Sequence, residues 1–493
     1  MTRLLSRCPT ASLICPKTSP RSPHGRSRTS STNTRHPDVS TLRRPQAALQ
    51  QRWRGIVKVV VVGAGLGGLT AATRLSAAGH DVVVLEGRAE VGGRSRSRPV
   101  TGDVVELGAQ FISTRHRRMR KLVTDAGLHL ARGRYAAGPV LWRQPNDRAG
   151  HLIPHLAPTD LIALARLLLG PRSLRWLAAA NRVELQRAEL DAQSVADFFG
   201  HRCSASLRYF IECLIGALFG GAKLEDISLL SLAELLGREG GTLRFVIGEV
   251  GGASHIVEGT GALATHLASR LTTPVHLQAT VNAVEQDNST VAAHVDNGDV
   301  VEADHAIIAV PTPTLAGIKF TPSLPDTIDD ANTGINYGRA TKLVAVVPPR
   351  GPFQAQAFIG GNLITAGWRT RRVLYGFTTR IAAGLDVETL ADDLCRGFGV
   401  SPGLVEHAEL VSWPEDRFTG GTYAHLLPGR FSQFRRSLPH RHRRVRFAGA
   451  ERSSWPLFME GAVESGEQAA DSTIRASLQP RNCVTSPLNP SSK

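Results

Sequence analysis

Cysteine, lysine, methionine and tyrosine are all scarce in this chain, and charge-free apolar stretches are short. The six cysteines, Cys8, Cys15, Cys203, Cys213, Cys395 and Cys483, form no C-x-x-C pair, and two of them lie near the N-terminus. That spacing points away from a zinc site or a disulfide framework; no metal is expected, and a reducing, cytoplasmic compartment is the default. The closest candidate for a membrane span, Leu161 to Leu169, contains Arg166 and stops at Gly170-Pro171. It is too short to span a bilayer, so it reads as a packed helix and no transmembrane segment is predicted. Acidic residues are nearly missing from residues 1–55, where ten Arg and one Lys face only Asp38. That stretch supplies +10 of the net charge of +16, which leaves +6 for the rest. The excess therefore sits on a tail and not on a basic face of the fold, and no nucleic-acid partner is expected.

What remains is ordinary for a globular protein: 42% apolar and 20% charged over 493 residues, enough for two intertwined domains plus tails. Residues 1–55, rich in Arg, Ser, Thr and Pro, are expected to be a disordered extension. They also fit an organellar targeting segment, the less favoured reading. Arg outnumbers Lys 51 to 7, the signature of a GC-rich genome in which valine codons often serve as starts, and Val57 opens a strong first strand. Translation is accordingly expected to begin near Val57; an intact Met1 in the mass of the native protein would refute this.

From Val57 the pattern is β-α-β. Val57–Val62 is a β-branched run, Leu66–Ala78 reads as a helix ending at Gly79, and Asp81–Leu85 is a second buried strand, hence a parallel sheet. Residues 150–250 are mostly helical by periodicity. Strands return in 272–310, mixed elements follow to 445, and a strand at "VRFAG" and a helix at "MEGAVESGEQAA" close the fold.

Gly63-Ala64-Gly65-Leu66-Gly67-Gly68 fits G-x-G-x-x-G. Gly63 suits the tight turn, Gly65 a close backbone approach to a pyrophosphate, and Gly68 helix–sheet packing. The helix N-terminus behind them offers N–H groups and partial positive charge to phosphates. The second strand ends in Glu86, placed to accept ribose hydroxyls. This is a Rossmann-type dinucleotide site. Next comes Gly92-Gly93-Arg94, which reads as a second anion-binding loop. Glu106-Leu107-Gly108-Ala109-Gln110-Phe111 follows, and far downstream lie Trp413, Thr419-Gly420-Gly421-Thr422-Tyr423, Phe447-Ala448-Gly449-Ala450-Glu451 and Met459-Glu460-Gly461-Ala462.

Together these motifs resemble the flavin-containing amine oxidases over about residues 57–472. The resemblance implies an α/β fold: a Rossmann-type FAD-binding domain with a second substrate domain of mixed sheet and helices. Its expected parts are FAD-binding segments 56–115, 251–312 and 441–474, a helical substrate or cap region 116–250, a substrate domain 313–440, and a tail 475–493. It implies FAD contacts at Gly63, Ala64, Gly65, Gly68, Glu86 and Arg88, and at Gly92, Gly93 and Arg94. A loop beside the flavin ring would comprise Gly108, Ala109, Gln110 and Phe111. Val281 would meet adenine, Glu451 the ribityl chain, and Trp413 and Met459 the flavin. Thr422 stands where animal monoamine oxidases have their tethering cysteine, so FAD is expected to be non-covalent. The catalytic group implied is Lys342, which holds a water at the flavin, with Tyr423 and Phe458 as the two walls of an aromatic cage. The spacing from Glu451 to Phe458 is one residue shorter than in monoamine oxidases. The activity implied is oxidation of a C–N bond of a small amine, with O2 as acceptor and hydrogen peroxide as product. Two rival readings share the fold: a protoporphyrinogen-oxidase-like or carotenoid-desaturase-like enzyme acting on C–C bonds, and a non-enzymatic GDP-dissociation-inhibitor-like protein.

Overall fold

A computed structural model describes residues 55–133, 138–145, 150–152, 154, 156–200, 203–241, 253–349, 353–378, 386–437 and 441–478. The expected N-terminal extension lies outside the described residues apart from Gly55, as does most of the expected C-terminal tail.

Four parallel strands make the central sheet, in the order Asp81–Leu85, Lys58–Val62, His305–Ile308, Val445–Phe447. Val59 to Val62 are buried, as a β-branched strand covered on both faces should be. Three remote stretches of chain meet in this sheet, which is why the nucleotide motifs lie at opposite ends of the sequence. The helix Leu66–Ala77 leaves the first strand and packs against the C-terminal helix Met459–Ser477. They cross at glycines: a Cβ on Gly466 would stand 2.3 Å from the Gly67 carbonyl oxygen. The C-terminal helix outlasts the expected boundary at residue 474, because Ile474 still packs on the same core as Leu69 and Leu75.

A second, four-stranded sheet covers the nucleotide side, with Val281–Gln286 central to it and Lys319–Thr321 parallel at its edge. The stretch from Pro274 to Thr280, expected as strand, is not one. His276 makes a single bridge to Leu85, after which Gln278 and Ala279 donate backbone N–H groups to the carbonyls of Arg88 and Glu86. These residues clamp the end of the second strand.

The substrate half is a six-stranded sheet ordered His407–Ser412, Thr341–Val346, Val373–Thr378, Ala366–Thr370, Ala357–Gly360, Val140–Arg143. It is antiparallel except where Val140–Arg143 joins as a parallel edge strand. Thr341–Val346 is buried along its whole length, including Lys342. Helices from Pro158–Leu169 to Leu229–Arg238 form a cap whose core is built of Leu, Phe and Ala. Within the segment expected as cap, the helix Arg117–Asp125 instead joins the nucleotide side. The Glu460 carboxylate accepts from the N–H groups of Arg118 (3.1 Å) and Met119 (2.8 Å), capping that helix from across the fold.

Candidate active site

A cleft of about 470 Å³ runs from the glycine-rich turn to the inner face of the substrate sheet. Gly63 opens it with φ +101°, and its N–H donates to the Leu85 carbonyl at 2.7 Å. A side chain there would strike Ala309 at 2.9 Å, and one on Gly68 would stand 1.9 Å from the Gly63 carbonyl oxygen. Gly65 differs: its Cβ would meet nothing closer than 4.0 Å. Gly63 and Gly68 thus let backbone pack on backbone, whereas Gly65 leaves room for something in the cleft. The helix behind Gly65 has no side-chain cap and no acid in its first turn, so its N-terminal partial charge is left for a bound anion. Ala64 does not line the cleft; its N–H donates to Glu86 Oε2 at 2.6 Å. Arg88 N–H donates to Oε1 at 2.9 Å. Burial raises the Glu86 carboxyl from its ordinary value, and these two bonds oppose the shift.

Gly92, Gly93 and Arg94 line the cleft beside Gly65, with Gly92 N–H donating to the Ala64 carbonyl at 2.8 Å. Arg94 pairs with buried Glu451 at 2.7 Å. Burial would lift the Glu451 carboxyl, but the Arg94 guanidinium overrides this and holds it below its ordinary value. Glu451 itself lines an adjoining small cavity, while its partner Arg94 lines the main cleft. Arg88 lines the cleft, but its guanidinium is engaged by Asp416 (2.8 and 2.5 Å), Thr419 (3.0 Å) and the Phe418 ring (5.2 Å). Asp416 and Phe418 carry no motif of their own, and sequence reasoning missed them.

Gly108, Ala109, Val281, Lys342, Trp413, Thr422, Tyr423, Phe458 and Met459 line the same cleft. Lys342 is 1% exposed. Its Nζ donates to the Gly108 carbonyl at 2.9 Å and lies 4.7 Å from the Tyr375 ring centre and 5.5 Å from that of Trp368. Burial pushes its ammonium down to about 7, with the Glu106 carboxylate opposing. Glu106 is buried too, and takes the backbone N–H and hydroxyl of Thr260, both at 2.7 Å. Burial pushes it up to about 7 despite those bonds and Lys342. The Lys342–Glu106 couple was invisible from spacing, since 235 positions separate its members.

Gln110 and Phe111 turn away from the cleft. Gln110 accepts from the Trp368 indole at 2.9 Å, and Phe111 packs on the same ring at 5.3 Å. They back the wall that holds Lys342. Phe458 faces the cleft while packing behind on His116 (4.8 Å) and Trp455 (6.0 Å). Tyr423 lines the same cleft. Burial raises the Tyr423 phenol, so it stays a neutral hydroxyl at physiological pH.

The flavin containing amine oxidoreductase family model matches residues 66–378 and 386–474. The chain belongs to that family. It is an FAD-dependent oxidoreductase. AofH of Mycobacterium tuberculosis, which carries the name of a flavin-containing monoamine oxidase, is 28% identical over 84% of this chain and 96% of its own length. Human flavin-containing amine oxidase B is 27% identical over 85% and 86%. The fold is that of a putrescine oxidase solved with putrescine bound (TM-score 0.74, 23% identity, 85% of this chain and 99% of that one). The same holds for cyclohexylamine oxidase from Brevibacterium oxydans (0.74, 23%, 86% and 100%). The residues fit FAD on grounds of their own: an uncapped helix end, an open glycine, a buried lysine and aromatic walls all line one cleft.

Proposed function

We propose that this protein oxidises the C–N bond of a small amine, using non-covalent FAD and molecular oxygen. The observation that carries the reading is that buried Lys342, Tyr423 and Phe458 line the same cleft as the phosphate-type turn at Gly63 and Gly65. Bound FAD supplies the acceptor for the two electrons and the α-hydrogen of the amine. The chain's own residues do the rest. Tyr423 and Phe458 hold an uncharged amine between two faces and orient its nitrogen. Lys342, its ammonium pushed down by burial, exchanges a proton with a water in the cleft. Arg94 and the helix end at Gly65 hold the anionic part of the cofactor. Thr422 lines the cleft where a tethering thiol would stand, and a hydroxyl forms no thioether. In balance, an amine R–CH2–NH2 with O2 and water gives the aldehyde, ammonia and hydrogen peroxide.

The C–C and non-enzymatic readings have no observation in their favour, and the relatives are named as amine oxidases. The test is anaerobic mixing of the yellow protein with a panel of amines. Bleaching by an amine, followed by peroxide on admitting air, is expected, and denaturation should release the flavin into solution. Bleaching by protoporphyrinogen alone would refute the C–N assignment.

A further inference from the structure

Among the described residues fourteen large apolar side chains are exposed, and seven of them fall between residues 152 and 185. Four belong to one helix, Pro158–Leu169: Leu161, Ile162, Leu168 and Leu169 are between 47% and 78% exposed. At about 100° per residue these four and exposed Ala165 occupy an arc of roughly 120°. The opposite arc carries buried Asp160, Ala163 and Leu167 and fastens the helix to the cap, with Asp160 accepting from the Ser204 hydroxyl at 2.7 Å and the Ala157 N–H at 2.8 Å. A surface helix normally turns a polar face to water. This one is apolar toward both the fold and the solvent, and a contiguous bare stripe of this kind marks a contact surface.

Charge decides what covers it. From residue 157 to residue 183 the exposed charged side chains are Arg166, Arg172, Arg175 and Arg182, of which Arg172 stands 3.8 Å from Glu189, and the single acid, Asp160, is buried. The first exposed acids beyond are Glu184 and Glu189. Arg166 falls about 40° outside the apolar arc on the same helix. Leu and Ile flanked by arginines match the boundary between acyl chains and anionic headgroups. A second copy of the chain fits poorly, because a two-fold contact through this face would set the arginines against their own counterparts. No helix among the described residues is long and apolar enough to cross a membrane, so the contact would be one of lying on the surface. We propose that the helix Pro158–Leu169 docks the protein in the plane of an anionic lipid surface. The proposal is independent of the substrate.

The full chain is sedimented with vesicles of phosphatidylcholine alone and of phosphatidylcholine mixed equally with phosphatidylglycerol. Binding to the mixed vesicles should be at least tenfold stronger and should weaken in high salt. Leu161→Gln/Leu168→Gln/Leu169→Gln exchanges apolar surface for a good helix former, so it should keep its flavin absorbance and lose at least tenfold in binding. Arg166→Gln/Arg172→Gln/Arg175→Gln should remove the preference for the anionic vesicles. Three results would overturn the proposal. Wild-type protein could stay in the supernatant with both vesicles. The leucine variant could sediment like wild type, which would assign binding to another basic segment. Light scattering could reveal a dimer that the leucine variant splits, which would give the stripe to a second copy.

Discussion

Lys342→Met removes a buried ammonium from the wall of the cleft while keeping a side chain of similar length. Nζ makes a hydrogen bond to the Gly108 carbonyl and lies against the Tyr375 and Trp368 rings. Losing a donor to a buried carbonyl costs about 1–3 kcal/mol. The variant also escapes the penalty of burying a cation, the penalty that drives the wild-type ammonium down to about 7. The two effects offset each other, so folding stability should move by no more than about 2 kcal/mol and FAD should stay bound. The chemistry should suffer more: flavin reduction or reoxidation should slow by over tenfold, above about 1.4 kcal/mol of barrier. Anaerobic stopped-flow absorbance gives the reduction rate, and mixing the reduced protein with oxygenated buffer gives the other half. Lys342→Arg separates charge from proton exchange, because a guanidinium does not deprotonate; it should be as slow as the Met variant. Glu106→Gln removes the carboxylate that holds the lysine up, so the pH limb belonging to Lys342 should move toward acid. Both half-reaction rates unchanged in a fully flavinylated Lys342→Met protein would refute the reasoning.

Two glycine substitutions should fail differently. Gly68→Ala drives a methyl onto the Gly63 carbonyl and should destabilise the fold by about 2 kcal/mol or more in denaturant melts. Gly65→Ala meets open space and should fold normally, but with FAD affinity reduced at least tenfold by titration. His116 is buried and neutral, its imidazole pushed down to about 3 first by burial and then by Arg120. Below about 6.5 the unfolded chain binds a proton that the folded chain refuses. Stability should therefore fall by about 1.4 kcal/mol per pH unit on acidification toward 3, and His116→Gln should flatten that slope. Glu451→Gln leaves Arg94 without its anion beside the cleft and should lower stability by about 2–4 kcal/mol in thermal melts of the flavin-free protein.

Much of the nucleotide half was legible because its chemistry is local. A β-branched strand, a glycine turn and a helix start within eleven residues suffice to specify a turn that holds an anion, and Gly63, Gly65 and Gly68 stand where that logic puts them. Gln110 and Phe111 show the limit. Their loop was readable as passing the cleft, but which way each side chain turned depended on Trp368, a residue more than 250 positions away. Arg88, expected as an FAD contact, lines the cleft, but the sequence did not show that Asp416 would engage its guanidinium.

The sequence by itself determined the parallel βαβ core, the family and the residue types gathered round the cleft, since each follows from short-range periodicity or a contiguous motif. Only the tertiary structure decided that Lys342 would be buried beside Glu106, that Glu460 would cap a helix from another segment, and that one leucine-rich helix would turn its second apolar face to solvent. Burial and pairing between remote segments depend on how the layers pack, and a linear pattern does not encode the environment that shifts a proton or leaves a face bare.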